Sequence, residues 1–146
     1  SNVIPEEVKM SGTIRYMEED VRESVHEEIE RALSLAQAMG GDYTLEITKG
    51  YPPMVNAPAV VELVKETAAD LLGAEHVGTG RQEMGAEDFG FFSTLAQGAM
   101  FRLGCKIEGD ERMHHNPRFD IDEGCLPIGA AILAEAALRL LRSENP

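Results

Sequence analysis

The chain has 146 residues, 26 Asp plus Glu against 13 Lys plus Arg, a net charge of −13, two Cys and no Trp. That charge excludes phosphate-backbone binding as a main activity, because nucleic-acid affinity comes mostly from Lys and Arg displacing counterions. An apolar content of 43% supports a folded core rather than disorder, and the longest apolar run, residues 126–141, holds Glu135 and Arg139 and falls short of the ~20 residues of a membrane span.

In chain order, Val8, Met10, Ile14 and Tyr16 share one parity, with Lys9, Thr13 and Arg15 on the other. This period of two predicts a half-buried strand over 8–16. Glu18-Glu19-Asp20 then precede Val21, Val25, Ile29, Ala32, Leu33 and Ala36 at helical spacing. Acids there offset the positive end of a helix dipole, and Gly40-Gly41 marks the helix end. Tyr43, Leu45 and Ile47 alternate with Thr44, Glu46 and Thr48, which predicts a second strand. The first fifty residues thus read β-α-β, as in a small open-faced sheet with one helix behind it.

Pro52-Pro53 and Pro58 interrupt this pattern, so a domain crossing is expected near residues 53–58. Beyond it Val60, Val64, Ala68 and Leu71 mark a helix ended by Gly73. A short strand is expected over 76–80, a helical turn over 87–95 and a strand over 99–105. Residues 106–115 read as a polar loop. Residues 127–141 form a last helix, rich enough in Ala, Ile and Leu to be expected nearly buried, with Glu135 and Arg139 paired on its wet side.

Three places carry chemistry. His115 stands directly before Asn116-Pro117; a turn held extended by proline would aim its ring rigidly, as a metal ligand requires. The competing reading is an exposed loop with two incidental histidines, and His114 is the rival ligand. Glu87-Asp88, next to Gly85-Ala86, either orient a ligand or simply begin a helix. Asn2 and Arg15 together suit a carboxylate, since Arg offers a planar bidentate fork. The alternative for Arg15 is a surface pair with one of the many acids. Cys105 and Cys125 read as small buried residues; no basic cluster activates them, and two cysteines make no disulfide framework. With no leader-like basic and hydrophobic run, a reduced, cytoplasmic setting is expected.

Read in order, Asn2-Val3-Ile4-Pro5, Ser11-Gly12-Thr13-Ile14-Arg15, Gly50-Tyr51-Pro52-Pro53-Met54-Val55-Asn56, Met84-Gly85-Ala86-Glu87-Asp88-Phe89, His115-Asn116-Pro117-Arg118-Phe119-Asp120 and Glu123 with Leu126-Pro127-Ile128-Gly129 resemble one family. It is the aminoacylase, hippurate hydrolase and indoleacetyl-amino-acid amidohydrolase family of metallopeptidases. The resemblance covers almost the whole chain. It implies an α/β fold class with an α+β lid portion. Residues 1–54 would be the second, β-α-β half of a ferredoxin-like lid and dimerisation domain. Residues 55–146 would be the C-terminal part of a two-metal, aminopeptidase-like α/β catalytic domain.

The resemblance further implies that His115 is the last metal ligand, that Asn2 and Arg15 hold the substrate or its carboxylate, and that Glu87 and Asp88 lie on the rim of the catalytic site. In such enzymes a carboxylate general base deprotonates metal-held water, which attacks an amide carbonyl. The implied cofactors are divalent metal ions (Zn, Mn, Co or Ni). The implied substrate is a small N-acyl amino acid or peptide-like amide, and the implied partner a second copy through the lid, with no nucleic acid or membrane. The family's other ligands and its general base fall upstream of any motif present here. A catalytic zinc needs about three protein ligands, and one is at hand. The expectation is therefore the C-terminal portion of a longer enzyme, inactive by itself, or the product of a split or decayed gene. The alternative is a non-catalytic binding or oligomerisation module.

Overall fold

The computed structural model describes residues 2–144. Residue 1 and residues 145–146, at the ends of the two expected spans, lie outside the described residues. Four α-helices follow in order: α1 (Glu19–Ala38), α2 (Pro58–Leu72), α3 (Phe89–Ser93) and α4 (Cys125–Glu144), with a 3-10 turn at Ala74–His76. The chain divides into two units. Residues 1–53 with 83–88 form the first, and residues 54–82 with 89–146 the second.

In the first unit α1 follows its apolar spacing. Val25, Ile29, Leu33 and Ala36 are half-buried, joined by Arg22 and His26, while Val21 and Ala32 of the expected stripe are exposed with the remaining positions. Its C-terminus closes as glycine permits. Gly40 takes φ 85, its N–H donates to Gln37 O at 3.0 Å, and the Gly41 N–H donates to Ala36 O at 2.9 Å. This pair of bonds satisfies carbonyls that the helix end would orphan. Tyr16 receives Arg22 at its hydroxyl (3.3 Å), with the guanidinium carbon 5.5 Å from the ring centre.

The second unit is organised by α2 packing on α4. Pro58 opens α2, where its missing N–H costs nothing, and Gly73 ends it with φ 95. Thr67 and Ala68 of α2 are buried, and the Thr67 hydroxyl donates to Leu63 O at 2.7 Å, so no polar atom there is stranded. On α4 the residues Cys125, Gly129, Ile132 and Ala136 form the buried stripe, at the 3-4-residue spacing of one helix face. Arg139 ties the pair together, donating to Glu135 on its own helix (3.0 Å) and to Asp70 of α2 (2.8 Å).

Three expectations need correction. No β-ladder occurs among the described residues, so neither the β-α-β lid half nor the strands at 76–80 and 99–105 are present as paired strands. Part of the alternation persists in burial: Tyr43, Leu45 and Ile47, and Phe101, Leu103, Cys105 and Ile107, are half-buried with exposed residues between them. Period two dictates which side chains share a face, whereas a strand also needs a neighbour for its N–H and C=O groups. Over 8–16 the expected buried face fails at its start, where Val8 is 71% and Met10 80% exposed. Finally, α4 is not nearly buried. Leu126 (55%), Leu133 (61%) and Leu141 (62%) stay exposed, because α2 covers one stripe and composition alone supplies no second covering.

Candidate functional site

His115 lies in the second unit, on an exposed loop that runs from the segment at Cys105 to the start of α4. Two successive turns shape its crest. Asn116 N–H donates to Met113 O (3.2 Å) and Phe119 N–H donates to Asn116 O (2.9 Å), while the Asn116 side-chain oxygen accepts the Arg118 N–H at 2.9 Å. Within the first turn His115 has φ 69, the left-handed region, unlike every other described non-glycine residue. The expected extended backbone is thus corrected: proline restrains Asn116, its immediate predecessor, and leaves His115 free to occupy the turn position that needs positive φ. Such a conformation costs an L-residue roughly 1–2 kcal/mol, and strain of this kind collects at functional positions.

Arg112 braces the same loop, and nothing in the sequence reading singled it out. Its Nε donates to Asp110 Oδ2 at 2.6 Å and its N–H to Asp110 Oδ1 at 2.8 Å, and its guanidinium reaches across to the Arg118 carbonyl. The Arg112 bonds hold the Asp110 carboxyl down, to about 2. The Asp-x-Arg spacing was the available signal, but only the turn geometry shows that Arg112 spans from residue 110 to residue 118.

The His114 ring sits edge-on to His115, centroids 5.1 Å apart, so the two remain rivals in space as in sequence. The carboxylates downstream serve the backbone: Asp120 accepts the Ile121 N–H and Asp122 the Gly124 N–H, each at 2.9 Å. Among the described residues no group of three or more His, Cys, Asp or Glu could hold a metal ion. The donors present do not fit a metal by themselves.

The other candidates belong to the first unit. Asn2 is exposed. Arg15 is exposed, and its guanidinium donates to the backbone carbonyl of Met84, which brings it to the segment carrying Glu87 and Asp88. Both acids are exposed, directly before α3. Arg15 forms no ion pair among the described residues, although the chain has twice as many acids as bases.

Asn56, within the Pro52-Pro53 motif, turns out to be structural. In the second unit its side-chain amide donates to Met100 O (3.0 Å) and its oxygen accepts the Met100 N–H (2.8 Å). It satisfies both backbone groups of Met100 as a neighbouring strand would. The shallow pocket beside it, between residues 55–58 and 93–98, has no titratable lining residue and offers shape but no acid–base chemistry.

Comparison with known proteins extends these observations. An amidohydrolase-named protein of Bacillus subtilis (strain 168), YhaA, is 35% identical over 94% of this chain and 35% of its own length. IAA-amino acid hydrolase ILR1-like 6 of Arabidopsis thaliana is 40% identical over 65% of the chain and 21% of its own length. A hydrolase-named protein of Synechocystis sp., sll0100, is 31% identical over 93% of the chain and 36% of its own length. The chain therefore spans about a third or less of these curated relatives. The model of one family matches residues 3–139, nearly the full described length, and the chain belongs to it: peptidase family M20/M25/M40.

Proposed function

We propose that this chain is the portion of a metal-dependent amidohydrolase that supplies His115 as a metal ligand and Asn2 and Arg15 as holders of a substrate carboxylate. The substrate class is an N-acyl amino acid or similar amide, in keeping with relatives named for amidohydrolase and IAA-amino acid hydrolase activity. The observation that carries the reading is the left-handed His115 backbone inside a loop stapled by Arg112. A strained, braced histidine on an exposed loop is costly to keep unless its ring direction matters.

Arg15 supports the substrate role. Its partner is a neutral carbonyl, so its charge and its forked donors remain for an anion. Glu87 and Asp88, beside the same Met84 segment, belong to the rim of that site in this reading. Domain spans of 1–54 for the lid half and 55–146 for the catalytic-domain end are part of the proposal, as are pairing with a second copy through the first span and a cytoplasmic location. No helix among the described residues is long and apolar enough to cross a membrane. The metal itself (Zn, Mn, Co or Ni) needs ligands beyond His115, from polypeptide outside these 146 residues.

It follows that the chain alone is inactive. The uncovered leucines of α4 favour the same view, since a helix face this apolar gains by packing on more protein. They would equally serve an association module without catalysis, and joining the chain to the remainder of a relative-sized polypeptide separates the two: restored hydrolysis supports the enzyme. Purified alone, the chain is expected to hydrolyse neither hippurate nor acetyl-amino acids with Mn²⁺, Zn²⁺, Co²⁺ or Ni²⁺ added. Turnover that follows the chain and vanishes in His115→Ala would overturn this.

A further inference from the structure

The two cysteines, twenty positions apart in sequence, flank the His115 loop. Three observations in the second unit bring them together. The Asp122 N–H donates to the Cys105 carbonyl at 2.9 Å, and the Cys125 N–H donates to Asp122 O at 3.1 Å. A methyl built on Gly129 would meet Leu103 Cδ2 at 2.9 Å, so α4 lies directly on the 101–107 segment there. Stepping from Leu103 to Cys105 keeps the same half-buried face and advances about 6.6 Å along an extended chain. Stepping back from Gly129 to Cys125 keeps the same buried helix face and moves about 6 Å. The two steps are of similar length, and with Asp122 hydrogen-bonded to both cysteine backbones they bring Cys105 beside Cys125.

We infer that Cys105 and Cys125 form a reversible disulfide clip that closes the base of the loop bearing His115. Both are free thiols, Cys105 half-buried and Cys125 buried, which sets the order of events. Burial, with Cys105 and Asp122 beside it, pushes the Cys125 thiol up, so Cys125 is the poorer nucleophile toward an outside oxidant. The oxidant is a peroxide. The Cys105 sulfur attacks one peroxide oxygen, an S–O bond forms, the O–O bond breaks, and water leaves. The Cys125 sulfur then attacks the Cys105 sulfur; the S–S bond forms, the S–O bond breaks, and the hydroxide departs as water with the Cys125 proton. Two thiols lose two electrons and hydrogen peroxide becomes two waters. A small dithiol reverses the step by exchange.

In the reduced chain the loop base is held by the Asp122–Cys105 hydrogen bond and can open. In the oxidised chain it is covalently shut, with Arg112 and His115 inside the ring. The inference concerns the thiols alone and stands whether or not His115 binds metal.

The test is peroxide treatment of the full chain followed by trypsin and mass spectrometry. The expected product is a cross-linked pair of peptides, residues 103–106 and 119–139, with the intact mass lower by two hydrogens. Both thiols are lost to alkylation and regained with dithiothreitol. In Cys105→Ser the linked pair is absent and Cys125 stays alkylatable. In Cys125→Ala, Cys105 should accumulate as a sulfenic acid trapped by dimedone. Peroxide treatment that leaves both thiols free, that yields only disulfide-linked dimers, or that takes Cys105 to its sulfinic acid with no linked peptide would overturn the clip.

Discussion

α1 and α4 are both twenty-residue helices with an apolar stripe, yet they use it differently. α1 buries no residue fully; its stripe is half-covered and its other faces carry Glu and Arg. α4 buries Cys125, Gly129, Ile132 and Ala136 and still exposes leucines on its remaining faces. A helix polar on one side needs a single neighbour, whereas one apolar on most sides needs two. The second unit therefore holds the buried core of the chain together with an apolar helix face left uncovered. That is the pattern expected of a segment spanning about a third of its relatives' length.

The sharpest way to break this comparison is to hollow each helix in turn. Ile132 is 3% exposed, and Ile132→Ala should cost about 2–5 kcal/mol in the second unit. Leu33→Ala, at a half-buried position of α1, should cost roughly 1 kcal/mol, since much of that surface is already wet. Denaturant unfolding followed by far-UV circular dichroism measures both. Equal losses would refute the contrast.

Next in size is the loop brace. Arg112→Ala removes the bonds to Asp110 and to the Arg118 carbonyl, and amide exchange across 113–119 should quicken by about tenfold, the worth of one charge-assisted hydrogen bond. The wild-type brace should depend on acid in one direction only. The Asp110 carboxyl is lowered from 3.8 to about 2, so its stabilising contribution is complete above 3.8 and is lost as pH falls through about 2. Exchange protection that faded already between pH 7 and 5 would point to another group. The smallest effect belongs to His115 itself: His115→Gly should stabilise the chain by roughly half a kcal/mol. Relief of the positive-φ strain slightly outweighs the added freedom of glycine in the unfolded chain.

Much of this was legible in the sequence. The ends of α1 and α2 follow from Gly40-Gly41, Pro58 and Gly73, and the stripe of α1 from its 3-4 spacing. The motifs that resemble amidohydrolases lead to the family that the chain belongs to. What the sequence did not reveal depends on neighbours. Alternation at Tyr43–Leu45–Ile47 assigns faces but cannot supply the partner strand that makes a ladder. The apolar residues of α4 do not say how many of its faces this chain can cover. Arg112 was invisible because its value lies in a bond to the Arg118 backbone, set by two turns. His115 was readable as a candidate from its place before Asn116-Pro117, but its left-handed backbone arises from the turn, not from the proline.

The central proposal is that His115 is one metal ligand on a braced loop and that the chain by itself holds no complete metal site. Isothermal titration of Zn²⁺ into the purified chain, beside His115→Ala, tests it directly. The account predicts weak binding, poorer than micromolar, with little difference between the two proteins. Micromolar or tighter binding at one equivalent, abolished by His115→Ala in a monomer, would contradict it.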